Sequence, residues 1–193
     1  PYSYLLASRA GGEALILDPV LEKADRYCQL LRELDLRLVK AIDTHLHADH
    51  ITAALKLRTE AGSRIAHPAI DALPCADVPV AEGTPLMVGR IRVDPLFTPG
   101  HTDGHHAYQI GERVLTGDAL LIEACGRTDF QNGSAKTLYH SVHGKLFALP
   151  DDTLVYPGHD YEGRWVSSIA QEKQRNPRLG NDRPLDEFLA IMD

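Results

Sequence analysis

Histidine and aspartate side chains concentrate in four short segments of this chain. The segments are His45-Leu46-His47-Ala48-Asp49-His50, Gly100-His101-Thr102-Asp103-Gly104-His105, Thr116-Gly117-Asp118-Ala119 and Gly158-His159-Asp160. Imidazole and carboxylate together suit zinc, iron or manganese better than calcium, which prefers oxygen ligands alone. A single HxH pair occurs by chance in surface turns, but this ordered series is far more specific. The sequence therefore predicts a metal-dependent enzyme.

Predicted strands come directly before the metal-binding segments. Leu38–Ile42 leads into the first segment, Arg113–Leu115 into the third and Thr153–Tyr156 into the fourth. We therefore expect all four segments to meet at one edge of the sheets. The other histidines are better explained as ordinary structural or surface residues than as ligands, and they are His67, His106, His140 and His143.

The rest of the chain alternates helices with strand hairpins. Hairpins are predicted around Gly11-Gly12, Gly89-Arg90 and Gly111-Glu112. Apolar spacing predicts helices over Leu21–Leu36, Ile51–Ala61, Ser134–Leu149 and Ser167–Lys173. The pattern favours an α/β fold with two mixed sheets face to face and helices outside. We expect one domain, residues 1–193, whose first strand is truncated if further residues precede Pro1.

Composition argues against several other classes of function. The chain has 193 residues, 44% of them hydrophobic, a formal net charge of −7 and three cysteines. Such a negative chain is not expected to bind nucleic acid, and no apolar run reaches the roughly 20 residues that a membrane helix needs. Because the cysteines are few and widely spaced, we expect free thiols in a reducing compartment.

The series HxHxDH, GHT, GD and GH resembles the metallo-β-lactamase superfamily over about residues 2–160. The resemblance implies an αβ/βα four-layer sandwich of two mixed β-sheets with outer helices, and a metal at one sheet edge. Because the superfamily includes hydrolases, flavodiiron proteins and dioxygenases, the fold does not name the reaction. His47 stands where the flavodiiron branch has Glu, which argues against that branch.

A longer match extends over nearly the whole chain. Four segments resemble the persulfide dioxygenases (sulfur dioxygenases, the ethylmalonic encephalopathy protein family), namely Thr116–Gln131, Ala135–His143, His159–Tyr161 and Asn176–Leu179. Two positions depart from the animal members of that family. Gly158 stands where those members have Ala, and His105 stands where they have Cys. Neither position is an expected metal ligand.

That resemblance implies a cofactor and its ligands. The cofactor is one Fe(II) per chain, bound by His45, His101 and Asp118 in the two-His-one-carboxylate arrangement of non-haem oxygenases. Three ligands on one face leave positions for the substrate sulfur and O2. The residues that help fill metal sites in two-metal relatives are expected to hydrogen-bond the ligands and waters instead, and they are His47, Asp49, His50 and His159. Because iron needs no protein nucleophile, Cys125 is expected to be a packed thiol.

The resemblance also implies the substrate, glutathione persulfide, which O2 oxidises to sulfite and glutathione in sulfide detoxification. Arg127 is expected to bind a glutathione carboxylate in bidentate fashion, and Arg178 matches a second family position for the same task. Tyr161 is expected to donate a phenolic hydrogen bond to the peptide. A surface salt bridge is the alternative for either arginine taken alone.

Two other functions compete with this interpretation. A glyoxalase II-type hydroxyacylglutathione hydrolase shares the metal motifs and a glutathione substrate, but it would use two metals and an activated hydroxide. Thr128–Gln131 fits the dioxygenases better, and only 34 residues follow His159, too few for the helical substrate domain of those hydrolases. A non-catalytic metal-binding domain would not need the intact Arg127 and Arg178.

Partners and compartment follow only from the resemblance. It is compatible with a homodimer and with a rhodanese-type sulfurtransferase, either fused to this chain or separate. The compartment would be the cytoplasm in a bacterium and the mitochondrial matrix in a eukaryote.

Overall fold

The computed structural model describes residues 1–193. The backbone divides into two compact units. The N-terminal unit is Tyr2–Asp94, and the C-terminal unit is Pro95–Asp193 together with Pro1. The expectation of a single domain stays a prediction.

A five-stranded sheet forms the centre of the N-terminal unit. Its strands are β1 (Tyr4–Ala7), β2 (Glu13–Leu17), β3 (Arg37–Ile42), β4 (Arg64–Pro68) and β5 (Val78–Val80), in the order β1-β2-β3-β4-β5. β1 and β2 form the hairpin predicted around Gly11-Gly12, whereas the other neighbours pair in parallel. Parallel neighbours need a crossover connection, and the helices α1 (Ala24–Glu33) and α2 (Ala54–Ala61) supply two of them.

Apolar residues from these helices pack against one face of the sheet. In α1 the buried residues Ala24, Tyr27 and Leu31 recur every three or four positions, which places them on one side of the helix. α2 contributes Leu57 to the same buried cluster and ends at Gly62, whose φ of 71° is left-handed.

The second sheet begins with a hairpin of β6 (Leu86–Val88) and β7 (Ile91–Phe97) around the predicted Gly89-Arg90 turn. β7 carries the chain from one unit into the next. The other strands are β8 (His106–Ile110), β9 (Arg113–Gly117), β10 (Leu154–Pro157) and β11 (Ser167–Ser168), in the order β11-β10-β9-β8-β7-β6. β8 and β9 form the third predicted hairpin, and β10 pairs with β9 in parallel.

Three helices accompany the strands of the C-terminal unit. They are α3 (Ala135–Ser141), α4 (Ile169–Arg175) and α5 (Leu185–Met192). Leu138 of α3, Ile169 of α4 and Phe188 of α5 are fully buried in one apolar cluster with strand residues such as Val114 and Val155. None of the chain's helices has the length and apolarity that crossing a membrane requires.

The predicted helices differ from the observed ones mainly at their ends. α2 begins three residues later than Ile51, because residues 51–53 pair with the segment around Val20 through Leu21 N–H to Ile51 O (2.9 Å) and Ala53 N–H to Pro19 O (2.7 Å). The predicted helix from Ser134 is α-helical only to Ser141 and continues as a π-helical turn over Val142–Leu146. Neither β5 nor α5 was predicted.

Candidate metal centre

Three of the four metal-binding segments meet within the C-terminal unit. His101 follows β7, Asp118 follows β9 directly, and His159 comes just after β10. His159 Nδ1 lies 2.6 Å from Asp118 Oδ1, and His101 Nε2 lies 3.5 Å from Asp118 Oδ2. The convergence expected from their positions after strands therefore occurs among these three residues.

Hydrogen bonds determine which atoms of His101 and Asp118 face each other. His101 Nδ1–H donates to the carbonyl oxygen of Arg127 (2.8 Å), so Nε2 is the ring nitrogen left to face Asp118 and to bind a metal. His159 Nδ1–H donates to Asp118 Oδ1, which directs Oδ2 toward His101. Two donors each about 2.1 Å from one metal lie roughly 3 Å apart, so this pair has the spacing and chemistry of metal ligands.

Two glycines lie directly against His101 and Asp118, and Gly126 leaves room that this arrangement needs. A Cβ atom on Gly126 would lie 2.8 Å from His101 Nδ1 and even closer to the carbonyl oxygen of Asp118. A Cβ atom on Gly158 would lie 2.7 Å from Asp118 Oδ1. Sequence reasoning did not assign these glycines a role, although both stand directly inside the recognised motifs.

The surroundings of Asp118 favour its ionised form. Burial alone would raise the pKa of this carboxyl, but the hydrogen bond from His159 and the neighbouring His101 and His105 hold the pKa below its ordinary value. His105 also anchors the backbone at this point. Its Nε2 accepts the N–H of Asp118 (3.2 Å) and its Nδ1–H donates to Thr98 Oγ1 (2.9 Å). The residue noted as a departure from the animal members thus positions the Asp118 turn.

The N-terminal unit holds the first segment, with His45 buried at the end of β3. The Thr44 hydroxyl donates to Asp18 Oδ2 (3.0 Å) and accepts from His45 Nδ1–H (2.8 Å). This leaves Nε2 of His45 as the unprotonated nitrogen, the form that binds a metal. Asp18 was not predicted as a functional residue, although like Asp118 it comes directly after a strand.

The remaining residues of the first segment form a second group of donors. His47 Nε2–H donates to Asp18 Oδ1 (2.9 Å), and His50 Nδ1–H donates to Asp49 Oδ1 (3.1 Å). One donor atom from each of His47, Asp49 and His50 lies within 4.8 Å of the others. Burial, reinforced by the neighbouring His47, lowers the pKa of His50 and favours its neutral form.

The three predicted glutathione contacts all lie in the C-terminal unit. The side chain of Arg127 is 65% exposed and binds Asp129 through two hydrogen bonds of 2.7 and 2.9 Å, which lowers the pKa of that carboxyl to about 2. Tyr161 is 88% exposed, with its ring nearly parallel to that of His159. Arg178 is half-buried, and its Nη1 lies 3.8 Å from the Cys125 sulfur.

Buried hydrogen bonds hold the turn that precedes the Cys125-Gly126-Arg127 motif. Glu172 is fully buried and accepts from Glu123 N–H (2.9 Å) and from Asn176 Nδ2 (2.9 Å). Asn176 Nδ2 also donates to Ala124 O (3.0 Å). Asn176, the first residue of the Asn176–Leu179 segment, therefore anchors the backbone of the turn at Ala124. Cys125 is a packed thiol, and burial raises its pKa despite the Arg178 guanidinium.

Comparison with known proteins defines the class first. The family model described as the metallo-beta-lactamase superfamily matches residues 1–159. The crystal structure of ETHE1 from Myxococcus xanthus matches with a TM-score of 0.95 at 50% identity, covering 99% of this chain and 84% of that one. The fold is therefore the metallo-β-lactamase fold of two mixed sheets with helices.

Curated relatives then narrow the family. Persulfide dioxygenase ETHE1, mitochondrial, of Mus musculus is 46% identical over 195 residues, covering 100% of this chain and 76% of that protein. The hydroxyacylglutathione hydrolase of Cereibacter sphaeroides (strain ATCC 17025 / ATH 2.4.3) is more distant, at 37% identity over 92% of this chain and 69% of its own length. The chain belongs to the persulfide dioxygenase family of the metallo-β-lactamase superfamily. It is an oxidoreductase of the dioxygenase type with a metal cofactor.

Proposed function

We propose that this enzyme oxidises glutathione persulfide with O2 and one water, giving glutathione, sulfite and two protons, at one Fe(II) ion per chain. The observation that carries the proposal is the 46% identity, over the whole of this chain, to a persulfide dioxygenase. The motif Gly126–Gln131 and the anchored Asn176 lie within the matched length.

The proposed iron ligands are His45, His101 and Asp118. The unprotonated Nε2 atoms of both histidines and the ionised Asp118 suit a divalent metal, and two imidazoles with one carboxylate are the donor set of non-haem Fe(II) oxygenases. Bound Fe(II) supplies the electrons that make O2 reactive toward the persulfide sulfur.

Each proposed ligand is oriented by a hydrogen bond from its own unit. Thr44 and Asp18 hold His45, the Arg127 carbonyl holds His101, and His159 holds Asp118. These bonds select the tautomer and prevent ring rotation, which keeps the donor atoms in place before metal binds. We assign the same supporting role to His47, Asp49 and His50, whose own hydrogen bonds run within the segment and to Asp18.

We further propose that Arg127, Tyr161 and Arg178 bind the glutathionyl part of the substrate. Arg127 is exposed, and its bidentate bond to Asp129 is the geometry in which it would receive a glutathione carboxylate. The exposed Tyr161 phenol lies beside His159. Arg178 Nη1 faces only the weak sulfur acceptors of Cys125 and Met192, so a substrate carboxylate would be a stronger partner.

Oxygen uptake and metal analysis test the reaction together. Iron-loaded protein is expected to consume O2 with glutathione persulfide, to release sulfite and to contain one iron per chain. No oxygen uptake would contradict the proposal. Two metals per chain, with hydrolysis of a glutathione thioester instead, would establish the glyoxalase II-type alternative.

Assembly and location are proposals of the same kind. We propose a homodimer, a rhodanese-type sulfurtransferase as a fused or separate partner, and a location in the bacterial cytoplasm or the mitochondrial matrix. The mouse relative is named as a mitochondrial protein. Light scattering on the purified chain tests the dimer directly.

A further inference from the structure

A cleft of about 330 Å³ lies beside His159 in the C-terminal unit. Two loops form its walls. The first, residues 121–124, precedes the Cys125-Gly126-Arg127 motif, and the second, residues 159–164, follows β10. Tyr161, a proposed glutathione contact, lines the cleft, and so does Pro177 next to Arg178. Whatever sets the distance between these loops therefore sets the width of the proposed substrate cleft.

Arg164 is bonded to both walls at once. Within its own loop, its Nε and Nη2 donate to Asp160 Oδ1 (3.1 and 3.0 Å), and its backbone N–H donates to Asp160 Oδ2 (2.6 Å). Across the cleft, Nη1 donates to Glu123 Oε2 (2.9 Å) and Nη2 donates to Ile122 O (3.0 Å). The planar guanidinium makes this possible, because its five donors point in fixed directions.

The backbone of Glu123 gives independent support for this bridge. Its φ is 55°, in the left-handed region, where the backbone of glutamate is strained and that of glycine is not. The fold holds this strained backbone in place through Glu172 Oε2, which accepts the N–H of Glu123 (2.9 Å). The carboxylate of Glu123 is the group that receives Arg164 Nη1.

Charge adds a second effect at the same residue. Three carboxylates stand around the Arg164 guanidinium, since Glu162 Oε2 lies 3.6 Å from Nη1 in addition to Asp160 and Glu123. Without this cation the cleft would present uncompensated negative charge to glutathione, which is itself an anion at neutral pH.

We propose that Arg164 is a positioning residue for the glutathionyl part of the substrate. By joining Asp160 to Glu123 and Ile122, it fixes the width of the cleft beside His159 and offsets the cleft's negative charge. This inference rests on the proposed function, because glutathione is the ligand assigned to the cleft.

The test compares Arg164→Gln and Glu123→Gly with the control Arg92→Gln, which breaks an exposed ion pair to Asp94 on β7. In the iron-loaded enzyme, KM for glutathione persulfide is expected to rise about tenfold in both cleft variants and not in the control, with kcat within about twofold of wild type. Glu123→Gly should not lower Tm, because glycine relieves the left-handed backbone. A merely structural role would instead lower Tm and leave KM unchanged.

Two measurements that need no turnover complete the design. Glutathione titrated into the iron-loaded variants should bind about tenfold more weakly than to wild type, and amide hydrogen exchange should accelerate in residues 121–124 and 160–164. Unchanged glutathione affinity or unchanged exchange in both variants would overturn the inference. No oxygen uptake by wild type, with these two effects intact, would contradict the proposed reaction alone.

Discussion

His159 and Asp118 are joined by a hydrogen bond of 2.6 Å from Nδ1 to Oδ1. This bond favours ionisation of Asp118 and directs the other carboxylate oxygen toward His101. The two residues stand 41 positions apart in the chain, at the ends of the parallel neighbours β9 and β10. Parallel strands end at the same sheet edge, so this pairing is what brings the two side chains together.

Replacing His159 by Gln should weaken iron binding about 10- to 100-fold, because an oriented ligand loses its hydrogen-bond partner. The pKa of Asp118 should rise in the same variant, since His159 contributes to holding it low. Competition with a chelator of known affinity measures the first effect. His140→Gln, at an exposed position on α3, is the control and should bind iron like wild type.

Asp118→Ala should abolish iron binding, whereas Arg127→Ala should leave the iron content unchanged and mainly raise KM for glutathione persulfide. Asp118 is a proposed ligand, but Arg127 contacts His101 only through its backbone carbonyl, which the substitution retains. Metal content after dialysis and steady-state kinetics distinguish the two variants. Full iron occupancy in Asp118→Ala would disprove its assignment as a ligand.

Gly126→Ala should destabilise the protein by about 1–3 kcal/mol and reduce its iron content, because the new Cβ would press on the Asp118 carbonyl and on His101. Gly144 provides a matched control, since a Cβ there would meet no atom within 4 Å. Denaturant unfolding should show a lower free energy of unfolding in Gly126→Ala and little change in Gly144→Ala. Equal stability of the two would contradict the role given to Gly126.

His67 should make stability depend on pH. Burial alone would lower its pKa, but Asp43 and Asp71 outweigh burial and raise the pKa above the ordinary value. A raised pKa in the folded state means that the imidazolium stabilises the fold fully below the ordinary value of about 6.5. That stabilisation is lost as pH rises through the folded-state pKa.

His67→Gln should therefore cost about 3 kcal/mol at mildly acidic pH, because the buried Asp43 and the partly buried Asp71 lose their shared cation. The free energy of unfolding, measured between about pH 5.5 and 9, should show this difference shrinking as pH increases. A difference from wild type that stays constant across the range would show that the pKa of His67 is the same in the folded and the unfolded protein, which would contradict this prediction.

Elements that depend on a local sequence pattern could be predicted, whereas elements that depend on contacts with residues far away in the sequence could not. The hairpins around Gly89-Arg90 and Gly111-Glu112 were predicted well because the turn residues stand between two apolar runs. The predicted start of α2 at Ile51 was wrong, because Thr52 pairs with Val20, which is far away in the sequence. The short strand β5 went unrecognised, since it has only three residues and Pro79 is one of them.

The sequence by itself determined the residue types and the order of the metal-binding motifs, and these already indicated a metal enzyme of one family. Tertiary structure alone decided which atoms serve which role. His101 presents Nε2 because its Nδ1 is bonded to the carbonyl of Arg127, 26 positions away in the sequence. Arg164 forms its hydrogen bond to Glu123 over a separation of 41 positions. Apolar periodicity and turn residues are local and can be read in order along the chain, whereas hydrogen-bond partners are chosen by packing between distant segments.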